Sequence, residues 1–172
     1  MLEVESEVTV QIAGIDDAPL VRALMLAGFA QFRDTLDPPS SAFWESDEDV
    51  AAAIARGGAA IAWIGETPVG SVRFEPQGAW LYLGRLAVIP EARRRGVARA
   101  LMLAVEAEAP RFGVGEIRLS MREALPGNRA LFEQLGYVVI SVDPHPRNPA
   151  QNSLRMRKRL PISSPSPPPS AT

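Results

Sequence analysis

A short arginine-rich segment between an apolar strand and an amphipathic helix constrains this chain more than any other feature. Residues 80–89 are typical of a β-strand that ends at Pro90, and residues 97–108 place apolar side chains at helical spacing. The helix entry at residues 93–99 holds four arginines, whereas most helices begin with a polar cap and acidic residues. Exposed cations at the positive end of a helix dipole cost about 0.3–1 kcal/mol each. We therefore expect an anion to bind at this entry.

The chemistry of this entry fits a phosphate or pyrophosphate group. Backbone N–H groups at a helix start bind anions, Gly96 allows close approach, and guanidinium groups form paired hydrogen bonds with phosphate oxygens. A nucleotide-triphosphate loop, GxxxxGK(S/T), is absent from the sequence, and so is the dinucleotide fingerprint GxGxxG. An ordinary surface helix with a basic start is the alternative interpretation.

The composition favours a globular protein and excludes several kinds of catalytic and metal site. The 172 residues, 47% hydrophobic and 22% charged, are enough for one domain with a sizeable core. The absence of cysteine excludes disulfides, thiolate nucleophiles and an acyl-cysteine intermediate. His145 is the only histidine, so we expect no multi-histidine metal site. The net charge of −2 argues against nucleic acid as a partner.

The N-terminal residues predict the compartment. They are acidic and lack the apolar segment of a signal peptide. No uncharged apolar run reaches the roughly 18 residues needed to span a bilayer. We therefore expect a cytoplasmic protein without a membrane partner.

Hydrophobic periodicity and turn residues predict the order β-α-α-β-β-β-α-β-α-β-β. Asp16 and Asp17 are expected to cap the first helix, and Asn128 the last. The predicted strands are residues 8–12, 59–65, 69–74, 80–89, 116–121, 137–142 and 153–160, and the other predicted helices include 50–56, 97–108 and 129–135.

This order predicts an α/β (α+β) fold. We expect a mixed, largely antiparallel central sheet of six to seven strands flanked by about four helices, with one crossover around the arginine-led helix. Residues 1–160 are expected to form a single domain. The tail at residues 161–172 is rich in proline and serine, and we expect it to be disordered.

Two motifs resemble signatures of the GCN5-related N-acetyltransferase (GNAT) family. The run Arg93-x-x-Gly96-x-Ala98 is similar to the family's acyl-CoA signature, (Gln/Arg)-x-x-Gly-x-(Gly/Ala). Residues 128–137 are similar to its second signature, at slightly compressed spacing. The predicted element order is also that of the family, and the resemblance covers residues 6–160.

The resemblance implies an enzyme that moves an acetyl group from acetyl-CoA to a primary amine by direct attack in a ternary complex. It also implies that the backbone N–H of Val88 polarises the thioester carbonyl. Cofactor binding is expected at Leu86, Ala87, Val88, Arg93, Arg94, Arg95, Gly96, Val97, Ala98, Arg99, Asn128 and Phe132. No metal is implied.

The family's acid and base are not matched here. Its tyrosine acid corresponds to Phe132, which has no ionisable proton. Its strand glutamate has no counterpart in residues 81–89. We retain Glu75 as the candidate base and Tyr82 as a second candidate. Glu116 and Glu123 are the other nearby carboxylates.

Three further features are open to two interpretations each. His145 is either a base or, as we favour without a triad-like partner, a surface or substrate-lining residue. Phe43 and Trp44 either line an acceptor groove or pack a loop. The basic run at residues 155–159 favours a solvated strand face over nucleic-acid binding.

Two other functions remain open at this stage. One is a CoA-binding regulatory or catalytically degenerate module, and the other is an anion or nucleic-acid binder. The acceptor is a small amine or antibiotic, an amino acid, or a protein amine, and the chain is a monomer or homodimer.

Overall fold

The structure, a computed structural model, describes residues 7–161, and its elements confirm the predicted order. Within that range the helices are α1 (Ala18–Phe29), α2 (Asp47–Arg56), α3 (Val97–Glu108) and α4 (Pro126–Gln134). The strands are β1 (Val8–Ala13), β2 (Gly58–Ile64), β3 (Thr67–Gln77), β4 (Trp80–Val88), β5 (Glu116–Arg122), β6 (Val138–His145) and β7 (Asn148–Arg159). The tail expected to be disordered lies, beyond Pro161, outside the described residues.

The strands of the described range form one seven-stranded sheet in the order β1-β2-β3-β4-β5-β7-β6. All neighbours run antiparallel except β4 and β5, which α3 connects as a parallel pair. The predicted α/β class and mixed, largely antiparallel sheet are confirmed. None of the helices between residues 7 and 161 is long and apolar enough to cross a membrane.

Two hydrophobic clusters lie on opposite faces of the sheet. In β2, Ala59 and Ile61 belong to the cluster with α1 and α2, whereas Ala60 and Ala62 belong to the cluster with α3 and α4. Side chains alternate between the faces of a strand, and this alternation produces the division. The sheet is therefore covered on both sides.

A bulge interrupts β4. The register against β3 shifts between Ser71 and Arg73, so that Arg85 and Leu86 stand opposite Val72 alone. Arg85 takes a left-handed backbone conformation with φ of 54°, which is uncommon for a residue with a side chain. Such bulges bend a strand and increase its twist.

Pairing between β4 and β5 ends before the bulge. Their parallel pairing is limited to Leu81 with Ile117 and Tyr82 with Arg118. The rest of β4 pairs with β3 only, so a gap opens in the middle of the sheet toward the carboxyl ends of both strands.

The end of α1 packs directly on the backbone of β4. A Cβ atom at Gly28 would lie 2.8 Å from the Ala87 Cβ and 3.0 Å from the Val88 nitrogen. The helix continues through Gly28 to Phe29. This glycine lets α1 form one wall of the gap.

Two local predictions were wrong. Asn128 does not cap α4, because the helix begins at Pro126 and Leu125 is its N-cap. Residues 143–152, expected to be a loop, are the ends of β6 and β7 joined by a turn at Pro146 and Arg147. His145 therefore lies on a strand end.

We expect Gly28→Ala to destabilise the protein. Alanine favours a helix by about 1 kcal/mol over glycine, but crowding a packed contact costs about 1–3 kcal/mol, and here the contact is with backbone atoms. Urea denaturation should show a lower free energy of unfolding. Gly115→Ala is the matched control, because an added Cβ there meets nothing within 4 Å. Equal stability of the two variants would contradict the close approach of α1.

Candidate active site

A cavity of about 830 Å³ opens where β4 and β5 separate. Its wall includes both strands, the end of α1, the loop before α3, part of α4 and the turn between β6 and β7. Every residue predicted to bind the cofactor lines it except Arg95, whose side chain is exposed outside the lining. The predicted catalytic candidates Glu75, Tyr82 and Val88 also line it.

The entry of α3 presents unpaired backbone donors. Gly96 is the N-cap, with φ of 77°, and Ala100 is the first residue whose N–H bonds back to it, at 3.0 Å. Within residues 7–161, no acceptor bonds the N–H groups of Val97, Ala98 and Arg99. A Cβ atom at Gly96 would meet nothing within 4 Å. The glycine is therefore required by its backbone angle and leaves open space above the free N–H groups.

The arginines of this entry divide into two groups. Arg93 donates to the Gln31 Oε1 at 2.6 Å and to the Gly28 carbonyl at 3.3 Å, which ties the loop to the end of α1. Arg94, Arg95 and Arg99 make no ion pair with the described residues. Their positive charge adds to that of the helix dipole.

The backbone N–H of Val88 faces the gap. Val88 pairs with Gly70 in β3, and the next residue, Ile89, donates to the Val69 carbonyl at 2.9 Å. This is the pattern of a non-hydrogen-bonded antiparallel pair, in which the N–H of Val88 points away from β3. Because β5 does not pair with this part of β4, the donor is directed at the cavity.

Phe132 lies on α4 at the cavity wall. Its side chain is buried, and its ring centroid is 6.3 Å from that of Tyr137. Burial, together with the neighbouring Glu106, raises the pKa of Tyr137, and its hydroxyl donates to the Glu106 Oε1 at 3.4 Å. Tyr137 does not line the cavity, so the phenol available there is that of Tyr82.

Among the carboxylate candidates, Glu75 alone lines the cavity. Its Oε1 accepts from the Arg56 Nε at 3.0 Å, and Arg56 lines the cavity as well. Glu116 instead pairs with Arg118 at 2.8 Å, and Glu123 accepts a hydrogen bond from Asn152.

A charged cluster beside the bulge was missed in the sequence. Glu45 accepts two hydrogen bonds from Arg73, at 2.7 and 3.0 Å, and two from Arg85, at 3.1 and 2.8 Å. Arg22 holds the Glu45 carbonyl at 2.7 Å. The cluster joins the segment between α1 and α2 to both strands of the bulge. A charged residue at position 85, inside an apolar strand, was its only sequence signal.

The environment of Glu45 stabilises its charged form. Burial by itself raises the pKa of this carboxyl, but the hydrogen bonds and charges of Arg73 and Arg85 outweigh burial, and the pKa is lowered overall. The side chains of Glu45 and Arg73 are both largely buried.

The turn between β6 and β7 brings further basic groups to the cavity. Arg122, His145 and Arg147 all line it. The His145 Nδ1 accepts from the Arg147 N–H at 3.3 Å. Partial burial, and then the charges of Arg122 and Arg147, lower the pKa of His145. His145 is thus placed at the cavity wall, as a substrate-lining role requires.

The remaining sequence candidates lie elsewhere. Phe43 packs under the Arg33 guanidinium at 4.7 Å and Trp44 is 68% exposed, and neither lines the cavity. In β7, Leu154 and Met156 are buried. Its arginines pair with carboxylates: Arg155 with Asp143, and Arg157 and Arg159 with Glu116.

The chain is similar to proteins of a known family. A family model described as "Acetyltransferase (GNAT) family" matches residues 24–137. No curated protein sequence matches the chain significantly.

Solved structures with a similar fold include three acetyltransferases or their relatives. PaiA N-acetyltransferase from Thermoplasma acidophilum, in complex with coenzyme A, is 17% identical, with 90% of this chain and 99% of that chain covered and a TM-score of 0.72. The yncA protein of Salmonella typhimurium, with its cofactor acetyl-CoA, is 16% identical (96% and 100% covered, TM-score 0.70). IAA acetyltransferase from Bacillus cereus is also 16% identical (90% and 100% covered, TM-score 0.68). At these identities the likeness shows the shared fold.

We expect Glu45→Gln to lower the free energy of unfolding by about 1–3 kcal/mol at neutral pH, because two guanidinium groups lose their charged acceptor. Since the folded pKa of Glu45 is lowered, its contribution is fully present above the unfolded value of 4.5 and is lost as pH falls through the folded value. Urea denaturation across this range should show the gap between the two proteins narrowing in acid.

Glu66→Gln is the control for this series. Glu66 is exposed in the turn between β2 and β3 and makes no ion pair with the described residues. If the free energy of unfolding differed by the same amount between the parent and Glu45→Gln at all pH values, a stabilised Glu45 carboxylate would be contradicted.

Proposed function

Because this chain belongs to the GNAT acetyltransferase family, we propose that it transfers the acetyl group of acetyl-CoA to a primary amine. The observation that carries the proposal is that the free donors of the α3 entry and of Val88 face one cavity. Two proteins of similar fold were solved with coenzyme A or acetyl-CoA, which supports the choice of cofactor.

The α3 entry holds the pyrophosphate in this proposal. The N–H groups at residues 94–98 donate to the phosphate oxygens, and the open face of Gly96 lets them approach. Arg94 and Arg99 add charge at the cavity wall. Arg93 acts through its contacts with α1, which fix the loop.

The exposed edge of β4 holds the pantetheine arm. Residues 86–88 lie beyond the last pairing with β5, so their cavity-facing backbone groups are available to the amides of the arm, as in the addition of a strand. Asn128 and Phe132 of α4 form the opposite wall. The Val88 N–H then donates to the thioester oxygen as negative charge develops on it.

The transfer proceeds directly between the two substrates. The nitrogen of the neutral amine attacks the thioester carbon, the C–N bond forms and the C–S bond breaks. The nitrogen loses one proton and the leaving sulfur gains one, so the products are an amide and a free thiol. The chain has no cysteine to carry the acyl group, and positioning of the two substrates supplies much of the rate.

Glu75 is the proposed base that accepts the proton lost by the amine. It lines the cavity and is held by Arg56, so it accepts the proton through an ordered water. Tyr82, on the neighbouring strand, is the second candidate. The leaving thiolate takes its proton from water or from the amine, because Phe132 has none to give.

A catalytically degenerate CoA-binding module is the second candidate, favoured by Phe132 in place of a phenol. To distinguish the enzyme from the module, the protein is incubated with acetyl-CoA and a panel of amines, and the products are identified by mass spectrometry. Acetylated amine at a rate above the uncatalysed reaction supports the enzyme. CoA binding without turnover supports the module.

We expect Gly96→Gln to weaken CoA binding about 10- to 100-fold, because a side chain above the free N–H groups blocks charged hydrogen bonds. Isothermal titration with CoA measures the loss. Gly113→Gln is the matched control for Gly96→Gln. Gly113 also has a positive φ, of 68°, and open space around it, but it lies outside the cavity.

Both glycine variants should lose similar stability from backbone strain, and only Gly96→Gln should lose CoA. Arg94→Ala and Arg95→Ala form a second pair, in which the first should weaken binding more. Unchanged CoA affinity in the folded Gly96→Gln and Arg94→Ala proteins would place the cofactor elsewhere.

We expect Phe132→Tyr to raise kcat while CoA affinity stays within about twofold, because general acid catalysis contributes about 10²–10⁴-fold where it operates. Steady-state kinetics measures this, with Phe112→Tyr as the control, since the Phe112 ring packs on Phe74 but does not itself line the cavity. An unchanged kcat means that another step limits the rate. Loss of CoA binding with the fold intact would show that the sulfur does not lie beside this ring.

A further inference from the structure

The cavity has a basic end on the sheet face opposite α3. In β5, Ile117, Leu119 and Met121 are buried in the cluster with α3 and α4. Because side chains alternate along a strand, Arg122 points to the other face, where α1 and α2 pack. His145 and Arg147 reach the cavity beside it.

Arg122 carries a donor that is buried without a partner. Its Nη1 is inaccessible to solvent and has no hydrogen-bond acceptor among the described residues. Burial, and then the charge of Arg147, lowers the pKa of Arg122, although Asp37 opposes this. A guanidinium stays protonated at neutral pH, so Arg122 carries a positive charge. Because Nη1 is closed to solvent, a ligand would meet the part of the Arg122 side chain that lines the cavity.

Asp37 acts on Arg122 through its charge but forms no ion pair with it, and two further carboxylates of this region are paired with other arginines. Arg73 and Arg85 direct their guanidinium groups to Glu45, and Glu75 pairs with Arg56. Within the described range, neither Arg122 nor Arg147 forms an ion pair. An anionic group of a ligand would satisfy both.

The two strands that border the gap bring this charge and the proposed chemistry to one cavity. Arg118 pairs with Tyr82, and beyond this pair Arg122 follows on β5 and the segment 86–88 follows on β4, without pairing between them. Arg122 and Val88 both line the cavity that opens between the strands. An acceptor held in this cavity can therefore present its amine to Val88 and an anionic group to Arg122.

A contact beside the cavity ties together two of the segments that surround it. The Asn148 Nδ2 donates to the Asp37 carbonyl at 3.0 Å and to its Oδ2 at 3.4 Å. The chain neighbours of these residues, Leu36 and Arg147, line the cavity, so the contact holds this side of it together. We take this tied side to favour a small acceptor over a peptide.

We infer that the acceptor is a small amine bearing a carboxylate, of which a free amino acid is the simplest example, and that Arg122 binds the carboxylate. Guanidinium and carboxylate groups match in geometry and charge. Arg147 and His145 complete the rim of this subsite. The inference rests on the proposed acetyl transfer, whose amine stands at Val88.

The test compares amino acids with their carboxamides. Glycine, alanine, leucine, phenylalanine and glutamate, each paired with its α-amide, are assayed with acetyl-CoA. We expect at least one acid to exceed its amide by about tenfold or more in kcat/KM, because the amide cannot form the charged hydrogen bond. Arg122→Gln should bring that ratio to near one, mainly through KM, and Arg122→Lys should retain part of it.

Arg118→Gln is the matched control, since Arg118 lies on the same strand and face as Arg122 but outside the cavity. The ratio of kcat/KM between acid and amide should not change in this variant. The inference is wrong if no acid exceeds its amide while CoA still binds, or if Arg122→Gln keeps the full preference. Absence of CoA binding by calorimetry, in contrast, refutes the proposed function itself.

Discussion

The separation of β4 from β5 is the constraint on which the rest of the site depends. The bulge at Arg85 and Leu86 bends β4 after its last pairing with β5. The Glu45 carboxylate holds that bulge by bonding Arg85 and Arg73 together. Without the separation, the N–H of Val88 would be used in a sheet ladder, and no cavity would exist between the strands. A partly buried ion cluster thus supports a local departure from regular strand geometry.

The features that depend on neighbouring residues were predictable from the sequence. The order of elements followed from periodicity, and the entry of α3 followed from its arginines and Gly96, because a helix start and its free donors are local. Phe132, which the family resemblance singled out, lines the cavity wall. The backbone direction of Val88 needed the register with β3, which one strand alone does not contain.

Features that join distant segments were missed. Glu45 lies 28 residues from Arg73 and 40 from Arg85, and no periodicity connects them. Residues 143–152 fell outside the predicted strands, yet Pro144 sits in β6, the last strand of the sheet. Pro149 precedes the part of β7 that pairs with β5. Proline is tolerated at such edges because no neighbour needs its missing N–H.

The two hydrophobic clusters on opposite faces of the sheet bear on how ligands reach the site from solvent. The free donors of the α3 entry follow the carboxyl end of β4 into the face that α3 covers, while Arg122 points to the face of α1 and α2. Under the proposed function, the gap between β4 and β5 is a passage through the sheet that the two ligands enter from opposite sides. Either ligand can then be exchanged while the other stays bound, because the sheet separates their routes to solvent.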